Sequence, residues 1–257
     1  MCVRKYKDQI YSECVFPKLE QPFERALSDA VKLVLKKFSV QGILFTGSLI
    51  QGGSYKSSDL GIFVVNNRLE RQRIQKLFNG VPAEIFISPA KVIKQEMEDG
   101  RDNGSCTTAN MFSSGFVIYD QNQLVYKLRN KANEVISRGP SNSEFKLQLI
   151  RYRIADVYEN AVDVMNEDPY NAIILMSNAV YSAILYRFRI LGEWQPRAKE
   201  IMPELKKSDE KLFNLVKSFY DSPDFKDKFK AAEKIMDITI KTHGFFEWES
   251  EIEIQKE

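Results

Sequence analysis

An apolar run, Gly42-Ile43-Leu44-Phe45-Thr46, stops at a Gly-Ser turn, crosses a loop of small residues, and resumes at Asp59 as a second apolar run ending at Val65. Runs of this length bounded by turn formers read as strands, so the N-terminal half must contain a sheet. Gly47 lets the chain bend sharply where a Cβ would crowd a ligand. Ser48 offers a hydroxyl and an N–H at a helix start, and helix starts attract phosphate through unpaired N–H groups and the dipole. Ser54, Ser57 and Ser58 add hydroxyl donors, and Lys56 adds a point charge. With Asp59 heading the second strand, the stretch has the parts of an anion cradle beside a metal-binding carboxylate, as needed to hold a nucleoside triphosphate. Position 61 shares a strand face with Asp59 and would carry a second carboxylate in a two-metal site. It is Gly.

Around this stretch the periodicity predicts a mixed layout. Phe23, Leu27, Val31, Val34, Leu35 and Phe38 fall at helical spacing and predict a helix over 20–38. Strands are expected at about 42–46, 59–65, 81–87 and 115–119. A short helical turn is expected over 49–54. A charged helix is expected over 68–78, closed by Gly80, and another from Pro89 to about Asp99. Residues 100–114 read as a loop with a short helix at its end, and 121–138 as a helix. The turn formers Arg138-Gly139-Pro140-Ser141-Asn142-Ser143 mark the expected domain boundary. Beyond it strand signals vanish. Helical patterns cover 144–165, 170–191, 196–219 with a break near Lys207-Ser208, and 224–241. A chain of this kind is α+β: a mixed sheet with flanking helices over 1–139, then an all-α helical bundle over 140–257. The tail after Gly244 alternates Glu with Trp248, Ile252 and Ile254, and reads either as an edge strand or as a loose acidic tail.

Composition removes several chemistries. The single histidine, His243, lies beside Gly244 and suits a helix end. A Ser-His-Asp triad would need that residue, and a His-rich zinc site cannot be built. Carboxylates must therefore carry any acid–base or metal chemistry. Cys2, Cys14 and Cys106 form no paired metal motif and read as reduced thiols. No dinucleotide fingerprint or phosphate loop of the G-x-x-x-x-G-K-[ST] type is present. The net charge of +2 supplies no field for gripping a duplex, which disfavours nucleic acid. No signal core and no membrane-spanning apolar run is visible, so a cytoplasmic location is expected.

Glu84 sits mid-strand in Ala83-Glu84-Ile85. If its strand neighbours that of Asp59, the two carboxylates face one cleft about 5–8 Å apart. Thr46-Gly47-Ser48, a spacer over 49–58, Asp59-Leu60 and the later Glu84 together resemble the signature of the nucleotidyltransferase superfamily, the DNA polymerase beta-like fold. Phe116-Val117-Ile118-Tyr119-Asp120 and Glu193-Trp194-Gln195-Pro196-Arg197-Ala198-Lys199 resemble segments of its small antibiotic-modifying members, of the aminoglycoside or lincosamide type, which have a C-terminal helical domain. The resemblance implies AMP transfer from ATP, with Mg²⁺, to a hydroxyl of a small acceptor. It implies Asp59 and Glu84 as catalytic residues and metal ligands. Gly47, Ser48, Ser54, Lys56, Ser58 and Lys199 would bind the nucleotide. For a cationic acceptor, Asp156, Glu159 and Asp163 lie at helical spacing in the bundle, and pairing of two bundles would make a homodimer. The Tyr181, Tyr186 and Phe188 group reads as bundle core.

Gly61 departs from that signature, in which a carboxylate bridges both metals at this position. Losing it should cost on the order of a thousand-fold in rate. Two accounts stand open. The site is disarmed, leaving a nucleotide-binding or regulatory protein, or backbone approaches a ligand closely there.

Overall fold

The computed structural model describes residues 9–47, 49–50 and 59–249. Of the expected features, Cys2, Ser48, Ser54, Lys56, Ser57, Ser58 and the tail from residue 250 onward lie outside these residues. By contacts the chain divides into two units: one over 1–101 and 106–138, the other over 102–105 and 139–257.

The first unit is built on a five-stranded sheet. Its strands are β1 (Val40–Thr46), β2 (Leu60–Asn66), β3 (Gln72–Phe78), β4 (Val81–Ser88) and β5 (Phe116–Asp120), in the order β3-β4-β2-β1-β5. β1 pairs antiparallel with β2 and β5, β2 runs parallel to β4, and β3 pairs antiparallel with β4. Helix α1 (Phe23–Lys37) covers one face, where Leu27, Val31 and Val34 meet Ile43, Phe45, Ile62, Val64, Ile85 and Ile87. Alternation along each strand sends these apolar residues to one side. On the other face Phe63 stacks on Phe86 with centroids 5.6 Å apart, and meets the edge of Phe112 at 4.9 Å. Phe112 belongs to α3 (Thr107–Ser114). That face is also approached by α4 (Leu124–Arg138): Val125 stands where a Cβ on Gly42 would be. Helix α2 (Ala90–Asn103) follows β4 directly.

One expected element is corrected. Residues 72–78 form strand β3, not part of a charged helix. Asn79 and Gly80 both have positive φ, 50° and 80°, and join Phe78 to its register partner Val81. Two residues at positive φ make the tight hairpin turn whose twist matches paired strands. A smaller correction concerns 100–114, where α2 extends to Asn103 and α3 begins at Thr107, leaving three residues between them.

The second unit is helical: α5 (Glu144–Val164), α6 (Pro169–Ile190), α7 (Ile201–Ser208), α8 (Glu210–Asp221) and α9 (Phe225–Thr239). Side-chain caps start four of them. Ser143, Asp168, Asp209 and Asp224 accept from the backbone N–H of Lys146, Asn171, Leu212 and Asp227. Each cap satisfies a donor that the helix itself cannot. Met176, Leu205, Leu212, Val216, Ile235 and Met236 are fully buried in its core. Tyr186 and Phe188 are core residues, whereas Tyr181 is 43% exposed. The described tail, 245–249, has no secondary structure.

Candidate functional site

β1 and β2 run in opposite directions, so the end of β1 meets the start of β2. Thr46 and Gly61 are register partners there, and Gly61 is in turn the partner of Glu84 on β4, which pairs with Gln75 on β3. Thr46, Gly61, Glu84 and Gln75 thus form one row across four strands, on a single face. Just past Thr46 the chain turns at Gly47, with φ +111°. A Cβ on Gly47 would stand 3.8 Å from the Asp59 carbonyl oxygen and 3.9 Å from the Gly61 nitrogen. Gly47 therefore lies against the entrance to β2. Ile50 N donates to the Gly47 carbonyl at 3.3 Å, the beginning of a turn. Asp59 immediately precedes β2, is exposed, and lies two residues before Gly61, the spacing at which side chains share a strand face.

Gly47, Asp59 and Glu84 are thus gathered at one end of the sheet. Lys199 lies in the helical unit, exposed, in a 3₁₀ turn over Ala198–Glu200. Asp156 and Asp163 are exposed on α5, and Glu159 is half-buried.

Two residues that sequence reasoning passed over change the chemistry of the row. The first is Thr46, 3% exposed. Its hydroxyl would lie 2.6 Å, and its carbonyl oxygen 3.0 Å, from a Cβ at Gly61. The Thr46 hydroxyl thus stands where a side chain at position 61 would begin, so a larger residue there needs its neighbour to shift. The second is Arg73. Its Nε donates to Glu84 Oε1 at 2.6 Å and its Nη2 contacts the same oxygen, while Gln75 Nε2 donates to that oxygen at 2.9 Å. The guanidinium stands 4.9 Å from the Phe86 ring centroid, held over an aromatic face. Alternation along β3 puts Arg73 and Gln75 on Glu84's side of the sheet. The signal that could have found them is Asn79-Gly80, which fixes the hairpin register.

These residues do not fit a two-cation centre. Gly61 has no side chain to supply a ligand, and Glu84 is engaged by a guanidinium. No group of three or more His, Cys, Asp or Glu side chains suited to a metal occurs among the described residues. The two described thiols are poor nucleophiles: burial pushes Cys14 up to about 11 and also raises Cys106. His243 follows α9, with Nδ1 2.6 Å from Asp237 Oδ1 and Nε2 3.6 Å from Glu233 Oε1. The hydrogen bond with Asp237, then the two carboxylate charges, raise its pKa. Among the described residues no helix is long and apolar enough to cross a membrane.

No family model matches the chain, and no curated protein does. Among solved structures it is similar to a nucleotidyltransferase-like protein from Exiguobacterium sibiricum 255-15, at 11% sequence identity and a TM-score of 0.55, over 85% of this chain and 74% of that one. The sheet, its order and the helical half that follows it thus make up a nucleotidyltransferase-like fold.

Proposed function

We propose that this chain binds a nucleoside triphosphate, ATP in the simplest case, and does not transfer its nucleotidyl group at an enzymatic rate. The observation that carries this reading is the packing of Thr46 against Gly61, with 2.6 Å left for a Cβ. A position that should hold a bridging carboxylate cannot accept one without displacing its neighbour. Glu84, the remaining partner of Asp59, is neutralised by Arg73. The positive-φ Gly47 beside the Asp59 backbone supports phosphate binding at this turn, without the acid pair that would drive in-line attack.

Calorimetric titration with ATP and Mg²⁺, run beside a pyrophosphate-release assay over a panel of hydroxylated small molecules, tests it. Saturable heat without pyrophosphate is the expected result. Turnover of about 1 s⁻¹ or faster, the lower range of ordinary enzymes, would overturn it.

A second reading is AMP transfer to a hydroxyl of an antibiotic-type acceptor. Asp59 favours it, because this carboxylate is exposed at the head of β2 beside Gly47. Pyrophosphate released with one acceptor and not with others would select this reading.

A further inference from the structure

Resting on the nucleotide-binding reading above, we infer that the Arg73 guanidinium takes the charge-bridging role of a divalent cation, so that the chain binds the phosphates of a nucleoside triphosphate without requiring a metal. The geometry points to this in three steps. First, Glu84 is the register partner of Gly61, the position at which the family signature carries its second carboxylate. Arg73 already occupies that carboxylate: Nε at 2.6 Å and Nη2 both reach Oε1, and Gln75 Nε2 adds a third donor at 2.9 Å. A divalent ion arriving at Glu84 must compete with all three.

Second, the cation in this pair faces outward. The Arg73 side chain is 62% exposed and that of Glu84 only 19%. A guanidinium has five N–H donors in a planar fork, and two of its nitrogens are spent on one carboxylate oxygen. The remaining donors can receive phosphate oxygens, for which the fork is well shaped. Phe86 beneath the guanidinium holds it in place at 4.9 Å, which reduces the side-chain entropy lost on binding.

Third, the charge balance needs such a group. Asp59 and Glu84 would repel a polyanion, and Gly61 has no side chain with which to hold a second metal against them. Arg73 is the cation that the described residues place in contact with this row.

The experiment titrates ATP, and separately inorganic tripolyphosphate, into the full chain in EDTA and in Mg²⁺. ATP affinity is expected to be the same in both to within about threefold, less than one charge-assisted contact is worth. Arg73→Ala should weaken binding in EDTA by about tenfold to a hundredfold, the loss of one or two charge-assisted hydrogen bonds. In that variant Mg²⁺ should restore part of the affinity, because Glu84 is released. Arg73→Lys keeps the charge without the fork and should fall between wild type and Arg73→Ala. Circular dichroism confirms that each variant folds.

ATP bound only in Mg²⁺ would overturn the role of Arg73 and leave the nucleotide reading standing. No ATP binding in either condition would sink the nucleotide reading. Tripolyphosphate then decides for Arg73: binding in EDTA that Arg73→Ala abolishes keeps it as a metal-free phosphate site, and no binding overturns it.

Discussion

Gly61 has no Cβ, and the place where one would stand is 2.6 Å from the Thr46 hydroxyl and 3.0 Å from its carbonyl oxygen. A methyl group there forces a shift in a buried, paired strand. Gly61→Ala should therefore destabilise by about 1–3 kcal/mol, the usual cost of overpacking. Thr46→Ala removes the nearer contact, so the double variant should recover part of that loss, as residues in direct contact are non-additive. Urea unfolding midpoints of the four proteins measure this, and a neutral Gly61→Ala would show that the neighbour yields easily. The same contact means that Gly61→Asp alone should not restore a two-carboxylate site. His243 carries a second residue-scale prediction. Its pKa is raised from the ordinary 6.5 by Asp237, so the folded state favours the protonated form. That contribution is fully present below the unfolded value and fades as pH rises through the higher folded value. The stability difference between wild type and His243→Gln should be larger at about pH 5.5 than at about pH 8.5, with hydrogen bonding to Asp237 as its source. A difference that does not change with pH would remove the ion pair from the account.

Among the elements, the β3–β4 hairpin decides what surrounds Glu84. Asn79 and Gly80 turn the chain at φ 50° and 80°, and the register that follows sets Gln75 opposite Glu84 and Arg73 opposite Phe86. Nothing lies within 4 Å of a Cβ on Gly80. Gly80→Ala thus isolates the backbone term, expected at about 1–2 kcal/mol for an L-residue forced to positive φ. A fluorescence-monitored urea melt measures the loss, and an equally stable variant would mean that the turn adopts another type. β3 is also where sequence reasoning failed, for a physical reason. It is an edge strand, exposed along most of its length, so no clean inside–outside alternation marks it. Its charged residues then imitate the surface of a helix, and Gly80 imitates a helix stop. The Asn-Gly pair was the stronger signal, because it specifies both central turn residues at once. β1, β2 and β4 were legible by contrast. Each is largely buried, and their apolar runs end at turn formers.

At the scale of the whole molecule, elements were legible and cross-strand neighbours were not. Asp59 and Glu84 could be named from spacing, but Thr46 filling the space of Gly61 and Arg73 capping Glu84 exist only once strand register is set. The same holds for Asp102–Ser105, the last residues of α2 and the two that follow it, which group with the helical unit. Gln195 N donates to the Gly104 carbonyl at 2.9 Å, and Lys146 meets Asp102 at 2.7 Å. No local pattern announces such contacts, because their partners lie far along the chain. Each unit has its own apolar cluster: Ile62 belongs to the sheet core and Leu212 to the helical core, and both are fully buried. Truncating either to Ala should cost about 2–5 kcal/mol, the transfer energy plus a cavity. If the two clusters are separate cooperative cores, hydrogen exchange will report them separately. Leu212→Ala should speed exchange across α5–α9, and at Ser105 and its neighbours, while leaving β1, β2 and β4 protected. Ile62→Ala should do the reverse. Equal loss of protection throughout the chain in both variants would mean that a single transition governs the fold, and the sheet would then owe its stability to the helices as much as to α1.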